Sequence, residues 1–410
     1  MPNPEEPGAG AAAAASPAAR SRMRGRAIGL LAAAHLFDDV NQGVVPALLP
    51  FFIAERGFTI AAAGGIVLAA NLASSVLQPL FGHLADRWSL AALVPGGLLL
   101  AGLGVALTGA APTYALVLAA AAASGIGVAA FHPEAARQVY VHSGPRRAMA
   151  MSLFAVGGNL GFAVGPAVVT PIQLAYGLRG TLWMILPALA MASILALALR
   201  GARPTADPGA EPLPAGVDRW RPFARLSGAV IARAVIFYGL NTFIPLYWIG
   251  VFGRSKSAGA AALTLMLISG VAGTLAGGWL ADRFGRRIVV FGSMVALFPM
   301  LAAFVSTTSA ALALALLVPI GLALYAPFSV MTVLGQEYLP GHVGTASGVT
   351  IGLAVTLGGA AAPILGRIAD VHGLHSALAT LIWIPLVGAF FAWGLPSDGQ
   401  DAARGTRSGS

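Results

Sequence analysis

The feature that most constrains this chain is a rhythm. Stretches of about 20 apolar residues recur at intervals of roughly 30, and that length is what a helix needs to cross a hydrocarbon core of about 30 Å. Twelve stretches can be marked, near 27–54, 62–82, 90–111, 113–133, 148–175, 180–200, 226–251, 258–279, 288–306, 309–333, 345–371 and 376–395. Charged residues make up 10% of the 410, against roughly 25% in a soluble domain, so the chain cannot cover a water-facing surface. That argues against a soluble all-helical enzyme. The absence of cysteine removes a disulfide framework, a thiolate metal site and a cysteine nucleophile.

The net charge of +9 gains its meaning from position. The even-numbered gaps between spans and both tails hold 17 of the 24 basic residues, or 18 with Arg200 at the very end of the sixth span, the odd-numbered gaps hold 4, and Arg233 and Arg367 lie within spans. Because basic residues concentrate on the cytoplasmic side, both termini are expected there. A basic balance explained by topology does not call for a nucleic-acid partner. Arg20, Arg22, Arg24 and Arg26 precede the first span; a signal peptide is the competing reading, but no small-residue cleavage site interrupts the long polar-striped helix that follows.

The tails, 1–26 and 396–410, are rich in small and polar residues and are expected to be disordered. A proline-rich stretch, 201–225, reads as a cytoplasmic linker between a half of six spans, 27–200, and a second half, 226–395. Internal echoes support the division: Gly82-His-Leu-Ala-Asp86-Arg87 recurs as Gly278-Trp-Leu-Ala-Asp282-Arg283, and Gly157 and Pro166 answer to Gly352 and Pro363 at nearly the same offset. The expected fold is therefore an all-α integral membrane protein of twelve transmembrane helices in two pseudo-symmetric six-helix halves. Parallel repeats of this kind place a substrate site between the halves near the midplane.

The run Gly278-Trp-Leu-Ala-Asp282-Arg283-Phe-Gly285-Arg286-Arg287 resembles the full GxLxDRxGRR loop of the major facilitator superfamily, and Gly82 to Arg87 resembles its truncated counterpart. Glycine lets two helices approach, and the Asp and Arg can bond to a neighbouring helix end, so the two loops read as a cytoplasmic gate; a basic loop that only sets topology is the blander reading. The fifth span, Gly157-Gly158-Asn159-Leu-Gly161-Phe-Ala-Val-Gly165-Pro166, resembles the antiporter motif of export-type members, although Ala167 to Val169 replace its terminal glycines. Gly157, Gly161 and Gly165 form a flat helix-packing face and Pro166 frees a carbonyl. In span four, Ser124-Gly125-Ile-Gly127 fits the family pattern, but Ala121 stands where an arginine is usual, which removes a proton relay through that side chain.

More specific patterns narrow the resemblance. His35-Leu-Phe-Asp38-Asp39, Gln78-Pro79, Phe131-His132-Pro133-Glu134-Ala135-Ala-Arg137, Ser152-Leu-Phe154, Phe243-Ile-Pro245-Leu-Tyr247 and Gln336-Glu337-Tyr-Leu339-Pro340 are together similar to the fosmidomycin resistance protein family, over about 27–395. That resemblance implies the major facilitator fold in a bacterial inner membrane and export of a small phosphonate antibiotic or related compound in exchange for protons.

On the first span His35, Asp38, Asp39 and Gln42 fall at i, i+3, i+4 and i+7 and line one face of an apolar helix. An ionised Asp at the bilayer centre costs roughly 2.5–3.5 kcal/mol on insertion scales, so two adjacent ones require a polar cavity or partners. Asp38 and Asp39 are the candidate proton-coupling pair; a static network that orients the helix is the alternative. Asn71, Ser74, Ser75 and Gln78 form a second polar stripe, and with His35, Gln42 and Asn159 they could wall a hydrophilic substrate or serve as packing glue. In the seventh span Arg233, Tyr238 and Asn241 complete the candidate substrate site. The guanidinium suits bidentate capture of a phosphonate or carboxylate, with snorkelling to the interface as the competing reading. His132, Glu134 and Arg137 are assigned to the gate, and Arg367 and Asp370 to a structural pair.

The leading reading is a proton-coupled exporter working by alternating access; a proton-coupled importer or uniporter of a small metabolite is the runner-up. A membrane sensor or enzyme is a remote third, since no HExxH, GxSxG or phosphate-binding loop is present. No cofactor and no metal are expected. The partners are a small-molecule substrate, protons and the bilayer, with no nucleic acid and a monomeric working unit.

Overall fold

The structure, a computed structural model, describes residues 24–88, 90–143, 147–199, 217–342, 346 and 348–396, with side chains at 85–88, 147–148, 199, 348, 351 and 353 excepted. Most of the tails and of the linker, and the side chains of Asp86 and Arg87, lie outside the described residues.

Among the described residues every regular element is helical. In chain order these are α1 (Gly25–Arg56), α2 (Ile60–Trp88), α3 (Leu93–Thr108), α4 (Tyr114–His142), α5 (Arg147–Tyr176), a 3-10 stretch (Gly177–Met184), α6 (Ile185–Leu199), α7 (Trp220–Gly250), α8 (Lys256–Phe284), α9 (Arg286–Ser306), α10 (Ala310–Tyr325), α11 (Pro327–Tyr338), a π-helical stretch (Gly348–Leu353), α12 (Ala354–His372), α13 (Leu374–Leu381) and α14 (Ile384–Trp393). A helix satisfies its backbone groups internally, which hydrocarbon demands. Nine stretches among the described residues are long and apolar enough to cross a membrane; one of them, Met149–Ala198, joins α5 to α6, and α3 is apolar but shorter.

Three expected spans are interrupted. The tenth breaks at Ala326, where Pro327 opens α11 at a position that needs no N–H. The eleventh begins as a π-helix, and the last breaks between Leu381 and Ile384 with Pro385 in the first turn of α14. Elsewhere the ends follow local chemistry: Thr113, Ser255 and Ser309 accept the N–H groups of Leu116, Ala258 and Leu312. Gly285, at φ 92° between α8 and α9, takes a conformation closed to most side chains.

Rows of Leu, Ile, Val and Phe stand exposed around the bundle, Phe390 at 76%, a belt far larger than the apolar patches of a soluble protein. Inside, one cluster of buried apolar side chains is drawn almost wholly from residues 223–395. Two others come almost wholly from 28–195.

Glycines set the closest contacts. A Cβ on Gly157 would lie 2.2 Å from Ala32 O, on Gly161 2.1 Å from Leu36 O, and on Gly165 2.7 Å from the Gly43 backbone, so α5 presses on α1 along three turns. The α2–α12 contact is similar at the end away from the α1 start: a Cβ on Gly64 would meet Ala362 O at 2.7 Å. There Asp370 does not turn to Arg367 as expected. Its carboxylate accepts the N–H groups of Ile60 at 2.8 Å and Ala61 at 3.0 Å, because the Thr59 hydroxyl caps only the Ala62 N–H and the first two donors of α2 stay free at a positive dipole end.

The α1–α5 contact makes a stability prediction. Gly161→Ala forces a methyl group into the Leu36 carbonyl and should cost about 1–3 kcal/mol, the usual penalty for overpacking, seen as a lower melting temperature in detergent. Gly29→Ala, with nothing within 4 Å of the new atom, should not lower it; equal behaviour of the two would show that the contact is looser than described.

Candidate functional site

The polar stripe of α1 is buried, and its partners come from two other helices. His35 Nδ1 lies 2.8 Å from the Phe154 carbonyl of α5, and His132 Nδ1 of α4 lies 2.9 Å from the Val128 carbonyl. A carbonyl only accepts, so both Nδ1 atoms carry hydrogen. The two Nε2 atoms are 3.0 Å apart. Between two neutral rings of that tautomer the contact would oppose lone pairs; it is a hydrogen bond only if the pair holds one further proton. The Asp39 carboxylate sits where the balancing charge belongs, with Oδ2 3.3 Å from His35 Nε2 and Oδ1 3.3 Å from His132 Nε2. Gln42 Nε2 donates to Asp39 Oδ1 at 2.5 Å.

Room for this cluster comes from Gly158, where a Cβ would lie 2.3 Å from His35 Cε1 and 2.6 Å from Asp39 Oδ2. Phe154 stacks on the His35 ring at 4.0 Å. Asp38 is fully buried, neither of its oxygens accepts a hydrogen bond among the described residues, and His132 Nδ1 is 3.7 Å from Oδ2. Charged or protonated, Asp38 has a hydrogen bond left unmade, which a different conformation or a ligand would supply.

The cluster adjoins a cavity between α1, α2, α4, α5 and α7. Gln42, Asn71, Ser74, Tyr238 and Asn241 from the sequence-derived residues line it, joined by Asn41, Ser124 and Phe162. Its volume is about 20 Å³, room for a water molecule rather than a substrate, so loading requires the helices to part. Asn241 Oδ1 is buried without a donor among the described residues. Gln42 belongs to both places: it lines the cavity and holds Asp39.

Other sequence-derived residues separate from this centre. Arg233 is 7% exposed and lies 13 residues into α7, about 20 Å along the axis at 1.5 Å per residue, so it does not snorkel to the interface. Its guanidinium lies 5.0 Å from the Phe328 ring centre and its Nε has no hydrogen-bond partner among the described residues, with the phenols of Tyr238 and Tyr325 within electrostatic reach. Gln78 and Asn159 are half-buried outside the cavity lining, and Ser75 instead bonds Thr356 of α12 at 2.5 Å.

His132, grouped by sequence with Glu134 and Arg137, parts from them because its side chain faces α1. Glu134 and Arg137 form a bidentate pair of their own at 2.8 and 2.7 Å, with Gln138 donating to the same carboxylate. Gly82 is half-buried, 3.7 Å from Pro133 by its added Cβ. In the second loop Gly278 has open space, Asp282 is exposed, Arg283 covers Trp279 and Phe284, Arg286 pairs with Glu337 of α11, and Arg287 covers Trp393.

His35, Asp39 and His132 are also the one set of three cation-binding side chains among the described residues. The two nitrogens at 3.0 Å are at hydrogen-bond distance, closer than the about 3.3 Å between donors of a tetrahedral ion with bonds near 2.0–2.1 Å, while each ring stands 3.3 Å from an Asp39 oxygen. Asp39 also spreads its oxygens over both rings.

The profile of the Major Facilitator Superfamily matches residues 31–363. The chain is 32% identical over 382 residues to the uncharacterised transporter YfnC of Bacillus subtilis strain 168, covering 90% of this chain and 92% of that protein. It is 32% identical over 372 residues to the fosmidomycin resistance protein of Escherichia coli K12, covering 88% and 90%. Among solved structures, a bacterial homologue of the human lysosomal transporter Spinster, inward-facing and occupied, superposes with a TM-score of 0.77 at 17% identity, over 90% of this chain and 96% of that one.

The two aspartates should differ in what they hold. Asp39→Leu strips both imidazoles of their counter-charge and Gln42 of its acceptor and should cost about 3–5 kcal/mol, as breaking a buried pair does. Asp38→Leu should cost less, since its oxygens accept no hydrogen bond here. Denaturant unfolding in detergent orders the two; the reverse order would contradict the bonding described.

Proposed function

The chain belongs to the major facilitator superfamily of transporters, and from that premise we propose that it is a proton-coupled exporter of a small polar or anionic compound of the phosphonate class. The observation that carries the reading is the junction at Gln42, which binds Asp39 and lines the central cavity. The name of the Escherichia coli relative, which ties that protein to resistance to a phosphonate antibiotic, supports the substrate class.

Coupling follows from competition. A substrate whose donors engage Asp39 and Gln42 takes the oxygens that the two imidazoles use, and the proton shared by His35 and His132 then loses its counter-charge and leaves. Asp38 offers a second acceptor beside His132. The anionic end of the substrate reaches Arg233 once the helices part, with Tyr238 and Asn241 on the same helix. Asn71 walls the site, and Gln78 and Asn159 border its approach. The working unit is a monomer of twelve spans, with residues 27–200 rocking against 226–395 and both termini in the cytoplasm of a bacterial inner membrane. The segregation of the buried clusters supports that division. The bonds of Asp370 to α2 hold the far end shut, while the loops around Gly82 and Gly278 and the Glu134–Arg137 pair gate the cytoplasmic end. Expelling an anion from an inside-negative cell gains about 2.3 kcal/mol per charge per 100 mV, and inward proton movement adds to it.

In vesicles holding purified protein and an internal pH dye, adding fosmidomycin should drive a proton flux that Asp39→Asn reduces at least about tenfold, the scale of losing one charge-assisted bond. Substrate binding without any proton flux in the wild type would favour a uniporter.

A further inference from the structure

A second feature lies at the end of the bundle where α1 starts, remote from the buried cluster. The start of α7, the start of α9 and the end of α14 enclose an open cleft of about 710 Å³. Among the described residues four arginines line it, Arg219, Arg221, Arg225 and Arg287, against one acid, Asp218. That acid is already engaged, accepting the Gly341 N–H at 2.9 Å and meeting His342 Nδ1 at 2.5 Å. Arg225 is fixed by a 2.6 Å bond to the Gly394 carbonyl, and Arg287 lies over the Trp393 ring at 5.2 Å. Arg221 is exposed and has neither a hydrogen bond nor an ion pair among the described residues. The first turn of α7 opens here without a side-chain cap, adding a positive dipole end.

The described lining of the cleft thus concentrates positive charge. Its flanks say where the counter-charge sits. Trp220 and Trp393 are 52% and 64% exposed, and Trp at such positions marks the headgroup level of a membrane; Leu395 and Pro396 give the cleft an apolar edge. We propose that this cleft binds the phosphate headgroup of an anionic phospholipid. Guanidinium groups match phosphate oxygens in pairs, and basic pockets between helices at the cytoplasmic face take such headgroups. A lipid held here touches α7, α9 and α14 together and would brace their ends. The inference is independent of the substrate and of proton coupling, and its readout is binding rather than transport.

The test titrates the full chain in detergent with dioleoylphosphatidylglycerol, dioleoylphosphatidylcholine or soluble glycerol 3-phosphate, read by native mass spectrometry. The wild type should retain the phosphatidylglycerol in preference to both others. Arg221→Gln with Arg287→Gln should weaken its retention by about 10–30-fold, the loss of two interfacial charges. Arg221→Gln alone, at an exposed position that folding does not need, should weaken it by about fivefold. Arg254→Gln, at the opposite end of the bundle, should leave it unchanged. Equal retention of the two lipids, glycerol 3-phosphate binding as tightly as the lipid, or full retention by Arg221→Gln would each overturn the assignment.

Discussion

The interaction on which the rest depends is the contact of one carboxylate with two imidazoles inside an apolar bundle. Asp39 lies 3.3 Å from each of His35 and His132, and hydrocarbon offers no water to replace either ring. The surrounding structure follows from keeping these three together. Carbonyls of Phe154 and Val128 fix both rings in one tautomer, the lack of a side chain at Gly158 leaves the space, and the glycine face of α5 brings its backbone against α1. A buried charge is tolerated where every partner is in place. Removing any of them leaves an unpaired group at low dielectric.

The same contact ties chemistry to motion. Gln42 reaches Asp39 from the wall of a cavity too small for a substrate, so in the transport cycle we propose a ligand enters as α7 moves away from α1 and α2 and meets there the bond assigned to the proton's counter-charge. The far end is closed by the backbone contacts of α2 with α12 and by Asp370 on the free N–H groups of Ile60 and Ala61. That closure uses bonds a rigid-body shift can break and remake without unfolding a turn. Asp38 and Arg233, both buried with unmet bonding capacity, are the groups such a shift would serve.

Much of this was legible in the sequence because it is local. Apolar runs of spanning length mark helices, the i, i+3, i+4, i+7 spacing of His35, Asp38, Asp39 and Gln42 marks one face, and the family resemblance rests on motifs that the Major Facilitator Superfamily profile and two relatives at 32% identity share. What was not legible is contact between helices. His132 stands two residues from Glu134 and was grouped with it, yet 200° of helical turn sends it to α1. Asp370 sits three residues from Arg367, the spacing of a pair, but bonds across to the two N–H groups of α2 that the Thr59 cap does not reach, a contact between residues 310 apart that local spacing does not encode. The break at Ala326 was readable in principle from Pro327, whose ring cannot continue a helix without losing a bond.

The central claim is that the proton held between His35 and His132 leaves when substrate arrives. The most direct measurement is proton release on fosmidomycin binding to the purified protein in weakly buffered detergent, with ligand occupancy followed by calorimetry in parallel. The wild type should release about one proton per ligand bound at neutral pH, and the paired substitution His35→Gln with His132→Gln should bind ligand with no release. Undiminished release from the histidine variant would place the exchanged proton elsewhere and contradict the account.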